Sequence, residues 1–166
     1  MARLFIAALP SEETIERLVD IAQPTEPGVR WVPRDNWHVT LRFIGEAEID
    51  HVAAALEGAG LPRAVARLGP AIERLDRRQL VIPVAGVDAL AMSVQAATAD
   101  IGELDRRRFR GHLTIARLKP PATSSLRDTT FEARFDVDDI ALMASDLLPS
   151  GAVYRTVATF ATSSAN

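Results

Sequence analysis

His38-Val39-Thr40-Leu41 returns 74 residues later as His112-Leu113-Thr114-Ile115, close to half of a 166-residue chain. In both stretches polar and apolar residues alternate, the period of a half-buried β-strand. His and Thr, two apart, therefore share one face, while Val39, Leu41 and Phe43, or Leu113 and Ile115, share the other and point to a core. The recurrence predicts two similar lobes. A rough two-fold between them would bring the two strands side by side and present two imidazoles and two hydroxyls to one ligand in a cleft.

Working outward, Trp37 to Ile44 and Gly111 to Leu118 are the motif strands. Arg3 to Leu9 predicts an opening strand stopped by Pro10, and Ser11 is a good N-cap for an acidic-first helix running to about Gln23. Pro24, Pro27 and Gly28 make a loop, after which Val29 to Pro33 is extended. Val52, Ala53, Leu56 and Ala59 have helical spacing within 49–60, and 87–104 predicts a further amphipathic helix. Between these helices, 64–75 and 79–85 are extended about an Asp76-Arg77-Arg78 turn; strands near 131–143 and 153–160 close the chain. This order predicts an α+β fold: two pseudo-symmetric lobes of mostly antiparallel sheet flanked by helices, with a cleft between them. Residues 1–162 are expected to form one bilobal domain, and 163–166 a frayed tail.

Composition narrows the function. At 48% hydrophobic and 25% charged the chain has the balance of an ordinary globular protein. Its apolar runs fall short of the eighteen or so residues of a membrane span, and its start is too quickly polar for a signal peptide, so no membrane and a cytoplasmic location are expected. With no cysteine, a disulfide framework, a Cys-ligated zinc site and a thiol nucleophile are excluded together. A net charge of −3 argues against coating nucleic acid generally and leaves room for a local basic site. Arg106, Arg107, Arg108 and Arg110, just before His112, are candidates for it.

Two histidines near neutral pKa suit in-line displacement at phosphorus, one removing a proton from water and the other protonating the departing oxygen. Threonine hydroxyls can donate to non-bridging oxygens as their charge grows. A lone His-x-Thr is usually a surface or core pair; the repetition is what points to chemistry. His51 has no such companion and is expected on the surface. The histidine spacings do not resemble a zinc set, so no metal or cofactor is expected.

With these residues in view, the chain resembles the two-histidine phosphoesterases, and among them the RNA 2',3'-cyclic phosphodiesterases formerly called 2'-5' RNA ligases. The resemblance extends to Arg3-Leu4-Phe5-Ile6-Ala7, Arg30-Trp31-Val32-Pro33, Phe109 to Arg117 and Leu147 to Tyr154. It implies His38 as proton donor, His112 as proton acceptor, Thr40 and Thr114 on the phosphate, Arg117 and Arg110 as substrate contacts, and Phe5 stacked on a base. Strict alternation places Arg117 opposite His112, so its role requires a bulge. Trp37 stands for the family's usual leucine and Gly111 for its usual proline, on the core face and at the strand entrance respectively.

The activity so implied is hydrolysis of RNA ends, tRNA fragments among them, to 2'-phosphates by a monomer, with reversible 2'-5' ligation through the same step. The rival expectations are a non-catalytic RNA-end or nucleotide-binding module and a phosphodiesterase for a small cyclic nucleotide.

Overall fold

The computed structural model describes residues 1–105 and 107–163. Among the described residues, ten strands and three α-helices follow as β1 (Ala2–Ala8), α1 (Glu12–Val19), β2 (Val29–Trp31), β3 (Val39–Ala47), α2 (Ile49–Glu57), β4 (Ala64–Leu68), β5 (Glu73–Asp76), β6 (Gln79–Ala85), α3 (Asp88–Ala97), β7 (His112–Leu118), β8 (Ala133–Val137), β9 (Asp139–Leu148) and β10 (Gly151–Ala161). The strands run β10-β9-β1-β3-β7-β6-β4-β8 across one sheet, with β2 added to β7 and β5 to β6, and every ladder is antiparallel. This is the expected α+β class.

Two half-sheets meet where β3 and β7 touch through one registered pair, Val39 with Leu113. The halves are interleaved in sequence rather than consecutive. Strand β2 joins the second motif strand, and the β9–β10 hairpin returns to flank β1 in the first half. The core is built from the apolar face of each half, including Leu4, Ile6, Leu41, Leu80, Ile82 and Leu113, all 0–1% exposed. Helix α3 packs on β3, α1 beside β8, and α2 against α3 and β10.

Helices α1 and α3 stop earlier than their patterns predict. Ser11 caps α1 as expected, its hydroxyl accepting from Thr14 N–H at 3.3 Å, but the helix ends at Val19 and tightens through an Ile21-to-Leu18 hydrogen bond before Pro24. Helix α3 ends at Ala97 instead of 104. The guanidinium of Arg42, 7% exposed, donates to the carbonyls of Thr98, Ile101 and Glu103, drawing that backbone into a turn through Gly102 at φ +68°. A Cβ there would collide with the Ile44 carbonyl. Of the expected frayed tail, Ser163 is held, its N–H and hydroxyl both donating to the Leu61 carbonyl; the last three residues lie outside the described ones. Among the described residues no helix is long and apolar enough to cross a membrane.

Candidate active site

Antiparallel pairing of Val39 with Leu113 turns His38 and Thr40 of the first half, and His112 and Thr114 of the second, toward the same groove. Immediately after each Thr the strand carries a β-bulge. On β7 the register passes from Leu80–Ala116 to Val81–Thr114, leaving Ile115 over. Ile115 and Ala116 are both buried, and Arg117 comes back to the face of His112. On β3 the same slip falls at Leu41, between the pairs Ile6–Arg42 and Ala7–Thr40. Arg42 is consequently buried, and Phe43, expected in the core by strict alternation, is 40% exposed in the groove.

The two imidazoles are held alike. Nδ1 of His38 lies 2.7 Å from the Asn36 carbonyl, and Nδ1 of His112 lies 2.7 Å from the Arg110 carbonyl. A carbonyl only accepts, so these contacts assign the proton to Nδ1 and leave Nε2 as the working nitrogen in both rings. Nε2 of His38 is 3.0 Å from Thr40 Oγ1. The Thr114 hydroxyl donates to Gln79 Oε1 at 3.0 Å, and Gln79 Nε2 donates to Asp76 at 3.3 Å.

Burial holds the His38 pKa below the usual imidazole value; the Asn36 hydrogen bond works against this, while Arg117 and His112 reinforce it. The burial is aromatic: the His38 ring packs with Phe5 at 4.9 Å and Tyr154 at 5.3 Å, and these two meet edge-on at 4.9 Å. Phe5 is only 5% exposed, so its ring is committed to His38 and Tyr154 and offers a base little free face. The ring forms a wall against His38 on one side of the groove.

The groove encloses a cavity of about 890 Å³. Arg3, Arg107, Arg108, Arg110 and Arg117 line it against two carboxylates, Asp76 and Asp105, of which Asp105 is paired with Arg107 at 3.1 Å. Positive charge is thus gathered here in a chain whose net charge is −3, which favours an anionic ligand. Arg106 lies outside the described residues. Gly111 sits where the backbone passes tightly over β6: its carbonyl accepts from Val84 N–H at 2.9 Å, and a Cβ would run into the Val84 carbonyl. Trp37 is on the core side, 6% exposed, with its indole N–H on the Val32 carbonyl. His51 is exposed on α2, and among the described residues no three His, Asp or Glu side chains converge as a metal would require.

Sequence reasoning passed over Gln79, Phe43 and Tyr154. The same 74-residue offset could have found the first. Phe5 pairs with Phe43 on β1–β3 as Gln79 pairs with Arg117 on β6–β7, so the repeat extends beyond the motifs to their neighbouring strands. In effect an aromatic pair in one half replaces a polar and cationic pair in the other.

Comparison with known proteins finds similarity to phosphoesterases. A family model described as LigT-like phosphoesterase matches residues 8–78. An RNA 2',3'-cyclic phosphodiesterase of Geobacillus stearothermophilus is 30% identical over 169 aligned positions, covering 90% of this chain; the chain spans 53%, about half, of that relative's length. A protein of the same description from Thermus thermophilus is 28% identical over 95% of this chain and 89% of its own. In fold the chain is similar to the crystal structure of Escherichia coli LigT complexed with 3'-AMP, at TM-score 0.78 and 24% identity over 97% of this chain and 98% of that one.

Proposed function

We propose that this chain is a LigT-like phosphoesterase that opens 2',3'-cyclic phosphates at RNA ends to 2'-phosphomonoesters, with His38 and His112 as its acid and base. The observation that carries the reading is the matched pair of imidazoles, each with Nδ1 fixed on the carbonyl two residues before it and Nε2 toward one arginine-lined cavity. Nε2 of His112 takes a proton from water as its oxygen attacks phosphorus. The bond to the 3'-oxygen breaks, and Nε2–H of His38 supplies the proton that this oxygen needs to leave. Charge growing on the non-bridging oxygens is met by Thr40, Thr114 and Arg117, each such donor being worth roughly 2–4 kcal/mol of barrier. Arg110 holds the neighbouring phosphate of the strand.

Thr40 responds to the state of His38. With His38 neutral its hydroxyl donates to Nε2; with His38 protonated the direction reverses and frees the hydroxyl hydrogen for phosphate. A bound anion favours the protonated form, offsetting the burial that keeps His38 neutral in the free protein. Because burial favours the neutral ring, a second reading exchanges the roles and makes His38 the acceptor. In the same ring-opening step a 5'-hydroxyl replacing water would form a 2'-5' bond as the bond to the 3'-oxygen breaks, and the reverse of that step would cleave it.

The test uses purified protein in EDTA with an RNA ending in a 2',3'-cyclic phosphate, beside His38→Ala and His112→Ala. A 2'-phosphate product, lost in both folded variants, is expected; binding without opening would sink the enzyme in favour of a binding module, and better turnover of a small cyclic nucleotide in direct competition would change the substrate. A substrate with sulfur at the leaving 3'-position settles the roles, since a thiolate leaves without a proton: it rescues the donor variant, expected to be His38→Ala.

A further inference from the structure

Phe43, expected in the core, is 40% exposed in the active-site cavity because the Leu41 bulge turns it outward. The Arg3 guanidinium lies over its ring at 5.3 Å, and Arg3 is itself exposed. Leu104, 68% exposed in the same cavity, is brought to this end by the hydrogen bond from Glu103 N–H to the Ile44 carbonyl, 3.0 Å, one residue beyond Phe43. Large apolar side chains left open inside a cleft lined by arginines call for a ligand with both an anionic and a flat apolar part. The repeat adds direction. Phe43 occupies in the first half the place of Arg117 in the second, so a phosphate held between the motifs meets a cation on one side and an aromatic ring on the other.

We infer that Phe43, with Leu104 beside it and Arg3 behind it, is a nucleobase platform, which makes nucleoside 2',3'-cyclic phosphates the substrates and base-free sugar cyclic phosphates poor ones. The inference deepens the reading above and rests on it. It sets the nucleoside in the half that holds His38, beside the 3'-oxygen that parts from phosphorus when the ring opens. Stacking tolerates any base, so the platform gives preference for a nucleotide without choosing among sequences.

The experiment compares cytidine 2',3'-cyclic phosphate with the 2',3'-cyclic phosphate of methyl riboside, in wild type, Phe43→Ala and Phe43→Trp. Wild type is expected to prefer the nucleotide in kcat/KM, the preference falling about tenfold in Phe43→Ala and surviving in Phe43→Trp. A preference that Phe43→Ala leaves unmoved, including a loss common to both substrates, overturns the inference. Calorimetric titration with cytidine 2'-monophosphate and methyl riboside 2'-phosphate reads the platform without turnover. Nucleotide-selective binding that depends on Phe43, with no ring opened, would refute the enzyme and keep the platform; equal opening with and without a base would do the reverse.

Discussion

Replacing Arg42 by methionine keeps most of the side chain's volume and removes its guanidinium from a buried position. Three carbonyls then lose the guanidinium: Thr98 keeps the Ile101 N–H at 3.0 Å and Glu103 is exposed and can be hydrated, whereas the Ile101 carbonyl, on a residue 6% exposed, is left without a donor. One buried acceptor left unpaired costs about 1–3 kcal/mol, and the charged hydrogen bond lost at Thr98 about 1.5–3 more, together roughly 2.5–6. Against this stands relief from holding a charge that burial disfavours, as its depressed pKa shows. The expected net loss is about 2–4 kcal/mol, a large share of the 5–15 kcal/mol typical of a whole domain. Urea unfolding would show it as a lower midpoint at unchanged slope. Arg42→Lys should recover only part, since one ammonium cannot reach all three carbonyls. A loss below about 1 kcal/mol in the methionine variant would refute the view that this arginine holds the turn after α3.

Acid should destabilise the fold through His38. Its folded pKa lies below the ordinary 6.5, so the unfolded chain binds the proton more tightly; this contribution is complete above the ordinary value and is lost as pH falls through the folded one. Urea midpoints measured from pH 8 to 5 should therefore fall more steeply in wild type than in His38→Gln, and parallel curves would contradict the burial. Gly111→Ala sets a Cβ against the Val84 carbonyl, with His112 next in the chain. A kcat reduced roughly 10- to 100-fold, with a stability loss of about 1–3 kcal/mol, is expected from kinetics and thermal unfolding; no change in either would show that the close approach is unimportant.

The motif strands were legible because His38, Thr40, His112 and Thr114 precede the bulges, where alternation still holds. Beyond Leu41 and Ile115 it fails without a marker: neither position carries the glycine that often announces a bulge, so Phe43 reads as core and Arg117 as its opposite. Arg42 reads as a surface residue for the same reason, and without it the end of α3 is invisible, because 98–104 continues a passable helical pattern. The α+β class followed from element order, but pairings such as β1 with β9 join residues more than 130 positions apart, which local periodicity cannot see. At the candidate site, residue types and spacing pointed to the two histidines, while the carbonyls of Asn36 and Arg110 that orient them are backbone groups and carry no compositional signal.

Interleaving of the halves has a consequence for divisibility. A cut anywhere between the two motifs would strand β2 from β7 and deprive β1 of β9, exposing a bare strand edge on both fragments. Neither piece would be a small copy of the whole, although each would carry its own His-x-Thr. If the repeat arose by duplication, the exchange of strands has since welded the copies into a single folding unit. Mixing the two fragments, and not either one alone, is the way to recover the groove.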